Sequence, residues 1–274
     1  MTEFDFSRIP STPPSVFVAP LQRPSHLGDD WLEPQQRRYS VDENRVWDEL
    51  FERQRRLVPG RACQAFVDGL ERLDLGRGGV PSFERVNESL LPMTGWQVVP
   101  VPMLIPDAVF FYHLANRRFP VGNFIRTRDQ FDYVQEPDVF HDLFGHVPLL
   151  TDPVFANYMA AYGRAGWKAL KYNRLKALSA LYWYTVEFGL IRESGSLRIY
   201  GAGILSGPTE TRFSLEGRSP HRIHLNVDRV MRTDYEISDL QATYFVVESF
   251  AELFHMTEQR GFEPIYESIA PGFI

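Results

Sequence analysis

Glu187 lies in W-Y-T-V-E-F-G-L, a segment that is otherwise apolar. A carboxylate left unpaired in such surroundings costs on the order of several kcal/mol. No Lys or Arg stands three or four residues to either side, so a cation from outside the segment is the natural remedy, and a metal held by two imidazoles would serve. This demand forces the segment against a distant one. His141 and His146, in E-P-D-V-F-H-D-L-F-G-H-V-P-L, are the candidates. Two imidazoles and one carboxylate form a set that can hold a metal on one face and leave its other positions open. A distant arginine is the alternative partner.

The spacing of the pair is unusual. In a regular helix, residues five apart are separated by roughly 140° around the axis. The two rings converge only if the helix is distorted or one of them sits in a frayed last turn, for which Gly145 and Pro148 give opportunity. Capping or core histidines are the alternative reading. The ligand types admit zinc, iron(II) or manganese, and only some of these suit redox work. A zinc hydrolase with these donors usually carries H-E-x-x-H, whereas here Asp142 follows His141 and the second His comes one residue late. His221 and His224 point to opposite sides of an extended segment. His26, His113 and His255 lack metal-like neighbours, and the glycine pairs do not open a helix after a strand as a phosphate loop would.

Composition narrows the classes further. The net charge of −6 gives no reason to expect nucleic acid or an anionic membrane as partner. One cysteine, Cys63, excludes an intramolecular disulfide and a zinc–thiolate site, and it suits a reducing compartment. The first residues lack a basic start and an apolar run, and no stretch reaches membrane-spanning length, so a cytoplasmic location is expected. Arg53, Arg55 and Arg56 read as the solvated face of a helix.

Residues 1–40 hold six prolines and read as an extended arm, ordered only where it lies on the body. Ser40–Glu43 is a capping box, and Val46, Trp47, Leu50, Phe51 and Leu57 follow at helical spacing. Further helices are expected over 61–73, after Ser82, after Pro106, over 137–147 with Pro148 beyond its end, over 152–163, over 175–191 and from about Ser238 to Gln259. Residues 98–101, 197–200 and 221–227 read as extended. The fold class is mostly α with a small β element, in one domain over 41–274.

E-P-D-V-F-H-D-L-F-G-H-V-P-L, Y-W-Y-T-V-E-F-G-L and Y-G-A-G-I-L-S, in this order and spacing, resemble the catalytic domain of the pterin-dependent aromatic amino acid hydroxylases. The likeness runs from about Asp42 to the C-terminus and is nearest the bacterial single-domain branch that acts on phenylalanine. It implies a basket of helices around one iron(II) ion held by His141, His146 and Glu187. It implies that Arg126 grips the substrate carboxylate, held in place by Asp138. Trp183, Phe188 and Gly203 would wall the substrate ring, with Ser206 behind the first histidine. On the pterin side the resemblance places Phe110, Met103, Leu104, Ile105, Asp142 and Tyr182. Without it, an Arg–Asp surface pair, a core Trp and a core Phe would be the ordinary readings.

Two positions depart from the family. Asp142 stands where animal members carry glutamate, and Val134–Gln135 replaces a Thr–Pro pair that helps hold the substrate backbone, leaving that task to main-chain groups. The implied reaction converts L-phenylalanine to L-tyrosine with O2 and a tetrahydropterin. A monomer without regulatory or tetramerisation segments is expected. Tryptophan or tyrosine hydroxylation, a zinc-dependent hydrolase on the same donors, and a metal-stabilised binding protein are the other readings.

Overall fold

A computed structural model describes residues 21–23, 27–237 and 239–269. Most of the proline-rich arm, His26, Ser238 and the last five residues lie outside the described residues. From Leu27 onward the arm is tied to the body. The backbone N–H of Glu33 donates to the Pro100 carbonyl at 2.9 Å, His113 Nε2 meets the Asp30 carbonyl at 2.9 Å, and Arg37 Nε donates to the Asn123 carbonyl at 2.6 Å.

Helix α1 (Val41–Leu57) opens on the expected box: Ser40 Oγ accepts from Glu43 N, and the Glu43 carboxylate accepts from Ser40 N. A cap is worth about 1 kcal/mol, whereas Val46, Trp47, Leu50 and Leu57 each gain about 1.5–3 kcal/mol by leaving water. Burial therefore dominates the placement of α1. Helix α2 (Gln64–Leu73) starts later than the expected residue 61, because Ala62 is first drawn into a bridge with Ile199. Helix α3 (Phe83–Thr94) is capped by Ser82 as expected and stops at Gly95, whose φ of 73° suits a residue without Cβ.

Strand β1 (Gln97–Val101), α4 (Asp107–Ala115) and β2 (Arg118–Gly122) form a parallel strand–helix–strand unit. Helix α5 (Pro153–Tyr172) packs on α4. It runs past the expected end at Gly163, which is a contact point and not a stop: a Cβ there would stand 2.2 Å from Ala115 N. Helix α6 (Leu175–Tyr182) passes into a π-helical turn, Trp183–Glu187. The expected helix over 175–191 therefore ends early, and Leu190 and Ile191 belong to strand β3 (Leu190–Glu193).

A four-stranded sheet follows in the order β4 (Ser196–Ile199), β3, β6 (Thr243–Val247), β5 (His221–His224), with β4 antiparallel to β3. Short helices α7 (Ala202–Ser206) and α8 (Pro208–Glu216) precede β5 (His221–His224), α9 (Val227–Val230) and β6 (Thr243–Val247). The long helix expected from Ser238 to Gln259 is not formed. Thr243–Val247 is a β-branched and aromatic run that becomes a central strand, parallel to both β3 and β5. A buried strand and a buried helix segment share the same continuous apolar signal. Ser249 then caps α10 (Phe250–Phe254), which a π-turn (His255–Arg260) and α11 (Glu263–Ser268) follow.

Candidate metal centre

The segment expected as a helix over 137–147 becomes a π-helical turn, His141–His146, which runs into a 3-10 turn, Val147–Thr151. Pro148 sits inside that second turn, where its missing N–H costs nothing. In a π-turn each N–H reaches back five residues, and Val147 N donates to Asp142 O in this way. The wider turn resolves the spacing problem, because residues five apart now share a side. The Nε2 atoms of His141 and His146 are 3.1 Å apart.

The second π-turn does the same service for the carboxylate. Phe188 N bonds back to Trp183 O, and Glu187 is presented with Oε1 3.1 Å from His146 Nε2 and Oε2 3.5 Å from His141 Nε2. Helix α7 supplies the support. Ser206 Oγ donates to the Ala202 carbonyl at 2.8 Å and so must accept from His141 Nδ1, 2.9 Å away. This fixes the tautomer: Nδ1 carries the proton and the Nε2 lone pair faces Glu187 and His146.

Burial raises the Glu187 carboxyl, but the two imidazoles overcome this and hold it well below the usual carboxylate range. Burial likewise lowers His141, and the Glu187 charge with its hydrogen bond more than offsets it, for a net rise. Two donors each about 2.1 Å from one metal and about 90° apart would themselves be roughly 3 Å apart. The observed Nε2 separation of 3.1 Å fits that edge. Asp142 is also near, its carboxylate within 4.8 Å of both imidazoles. Its Oδ2, however, accepts the Gly122 N–H at 2.7 Å, and burial pushes its carboxyl up to about 6 against the pull of both imidazoles. Glu187, with one oxygen turned toward each ring, is the better third donor.

Arg126 and Asp138 are not a surface pair. Their side chains are 4% and 0% exposed and joined by two parallel bonds of 2.8 Å, while Arg126 N adds a third at 2.9 Å. Asp138 Oδ1 also accepts from His141 N at 3.0 Å, which couples the pair to the π-turn. Burial opposes ionisation of Asp138, yet the Arg126 guanidinium holds its carboxyl below the usual value.

Trp183 and Phe188 lie with ring centroids 4.6 Å apart, and a Cβ on Gly203 would stand 2.9 Å from Phe188 Cζ, so these three do converge. Phe110 meets Tyr182 edge-on at 5.6 Å, and Tyr182 lies 6.2 Å from the His146 ring. Met103 and Leu104 are exposed on the loop between β1 and α4, with Ile105 half-buried beside them. That loop makes no described contact with the imidazole cluster.

Sequence reasoning missed the segment that backs Trp183. Tyr235 stacks on the indole at 4.8 Å, and the indole N–H donates to Gln241 Oε1 at 2.9 Å. Gln241 N in turn donates to Glu210 Oε1 at 3.2 Å. Tyr235 and Gln241 lie on the connection between α9 and β6 and Glu210 lies on α8, and no local pattern marks them.

Residues 34–263 match the family described as "Biopterin-dependent aromatic amino acid hydroxylase". The chain belongs to this family. It is 54% identical over 241 residues to a phenylalanine-4-hydroxylase of Ralstonia nicotianae, covering 88% of this chain and 77% of that one. Among solved structures, the iron- and phenylalanine-bound phenylalanine hydroxylase of Chromobacterium violaceum superposes with a TM-score of 0.84 at 50% identity, covering 89% of each chain. The same enzyme with iron(III) and 7,8-dihydrobiopterin gives 0.84 at 50% identity, over 89% of this chain and 92% of that one. The pterin-dependent hydroxylase fold expected from the three motifs is thus the fold observed. Among the described residues of this hydroxylase, no helix is long and apolar enough to cross a membrane.

Proposed function

We propose that His141, His146 and Glu187 hold an iron(II) ion at which this hydroxylase converts L-phenylalanine to L-tyrosine, using O2 and a tetrahydropterin. The observation that carries the reading is the convergence of two imidazole Nε2 atoms and one carboxylate, with Ser206 setting the tautomer of His141. Relatives of the same family named for phenylalanine favour that substrate over tryptophan or tyrosine. They also disfavour a zinc hydrolase on the same donors.

When bound, the iron and the tetrahydropterin supply oxygen activation and two electrons, one oxygen atom entering the ring and the other remaining with the pterin. The chain supplies position. Arg126 spends its Nε and Nη2 on Asp138, which leaves Nη1 for the substrate carboxylate. Trp183, Phe188 and Gly203 confine the ring, and Ser206 orients His141. Phe110, Tyr182, Asp142 and the Met103, Leu104 and Ile105 loop form the pterin side. In this reading residues 41–274 act as one catalytic unit, monomeric and cytoplasmic, and the buried lone Cys63 is compatible with that compartment.

The test is an assay of purified protein with iron(II) and a tetrahydropterin, offering phenylalanine, tyrosine and tryptophan side by side. Tyrosine from phenylalanine is expected, and His141→Ala should abolish it. No tyrosine from the parent protein, with any residual activity untouched by His141→Ala, would sink the reading.

A further inference from the structure

We propose that Arg53, on α1, is a positioning residue for the amino-acid substrate: it clamps the loop between Arg126 and Asp138 so that the loop's main chain meets the substrate. The proposal rests on the reading of Arg126 as the carboxylate-binding group and deepens it.

The loop is fixed at its base and loose above it. Arg126 and Asp138 close the base through their buried pair, and Asp138 ties it to His141 N. Between them lies a single 3-10 turn, Arg128–Gln130, and most residues from 127 to 136 are exposed. Among the described residues, no backbone–backbone hydrogen bond of a turn or loop joins residues 132–137 to the body. Val134 and Gln135 lie here, and the side chain of Val134 has no polar group to offer a substrate. Whatever polar service Val134 gives must come from its backbone, whose position must therefore be set from outside.

Arg53 is placed to set it. Its Nη1 bonds Asp132 Oδ1 at 2.6 Å, its Nη2 donates to the Phe131 carbonyl at 3.1 Å, and its guanidinium carbon lies 4.5 Å from the Phe131 ring centroid. One planar fork thus grips two successive residues, with only Tyr133 between them and Val134. The side chain is 23% exposed and rides on a helix anchored by Trp47, Leu50 and Leu57. A second tie, Arg128 to Glu49 with two bonds of 2.9 Å, is half exposed at both ends and is the weaker one. A groove of about 910 Å³, lined by Arg53, Phe131, Asp132, Thr209 and Arg212, adjoins the clamp. A released loop would have room to shift into it.

The experiment compares the iron-loaded full chain with Arg53→Met, Arg53→Lys and Asp132→Asn. Phenylalanine binding is read by calorimetry without pterin, together with steady-state KM and kcat, iron content and Tm. Arg53→Met should weaken phenylalanine binding and raise its KM about fivefold or more, with kcat, the pterin KM and iron content within twofold. Arg53→Lys keeps the charge but loses the fork, and should behave like Arg53→Met. Asp132 is exposed, so Asp132→Asn tests the clamp without risk to the fold and should give a smaller change in the same direction. Unchanged phenylalanine binding in Arg53→Met overturns the proposal. So does full rescue by Arg53→Lys, which would reduce the role of Arg53 to its charge, and so does an equal rise in both KM values. An inactive parent that still binds phenylalanine would defeat the hydroxylation reading alone, and the binding comparison would still decide the role of Arg53.

Discussion

Ser206 Oγ stands between two partners, giving its proton to the Ala202 carbonyl and accepting the one on His141 Nδ1. Ser206→Ala removes the acceptor and frees the imidazole to rotate or change tautomer. Loss of such a support costs about 10–100-fold in metal affinity. Iron affinity measured by chelator competition should fall in that range while the far-UV spectrum stays unchanged. Unaltered affinity would show that the ring is held by packing alone.

Asp138→Asn leaves Arg126 charged, buried and short of its partner. Breaking a buried ion pair from one side costs on the order of 3 kcal/mol. A lower urea midpoint is expected together with a raised phenylalanine KM, since in the proposed reading the same guanidinium also binds the substrate carboxylate. A stability loss with an unchanged KM would separate Arg126 from the substrate.

Gly163 lets α5 lie against the backbone of α4, with a Cβ position 2.2 Å from Ala115 N. Backbone cannot move aside as a side-chain tip can, so Gly163→Ala should cost about 1–3 kcal/mol through overpacking. Helix α4 also carries Phe110, so the pterin KM should rise with the loss of stability. Thermal melts and pterin titrations check the two halves separately.

At the start of α1, hydrogen bonding from Arg37, against some burial, brings the Glu43 carboxyl down to about 2 from an ordinary 4.5. A folded value below the unfolded one means that this contribution is complete above about pH 4.5 and is lost as pH falls toward 2. Urea midpoints of the parent and Glu43→Gln, measured across that window, should therefore converge as the solution becomes more acid. Parallel curves would refute the assignment.

Much of the site was legible because its chemistry is dictated by residue type. A carboxylate amid Trp183, Tyr184 and Phe188 needed a partner, and the partner was the imidazole pair. What could not be read was the turn that joins them, since α-helical arithmetic put His141 and His146 on different sides and nothing in H-D-L-F-G-H announces a π-turn. The family motifs placed Arg126 and Asp138, but only the structure shows the pair to be buried. Thr243–Val247 was misread because a strand covered on both faces loses its alternation. Tyr235 and Gln241 were invisible for a different reason: each meets Trp183 only after the chain has passed through β3, β4, α7, α8, β5 and α9.

The π-turn at His141–His146 makes the centre a device that counts residues. A π-turn spends one residue more than an α-turn, so removing one position between Asp142 and Gly145 would return the stretch to α geometry and leave the two histidines four apart, on one α-helical face. The rings would still share a side, but their separation would be set by an α-turn in place of the wider turn that now holds the Nε2 atoms 3.1 Å apart. Substitutions within this stretch alter one neighbour at a time, whereas a change in its length alters the width of the turn that brings the two rings together.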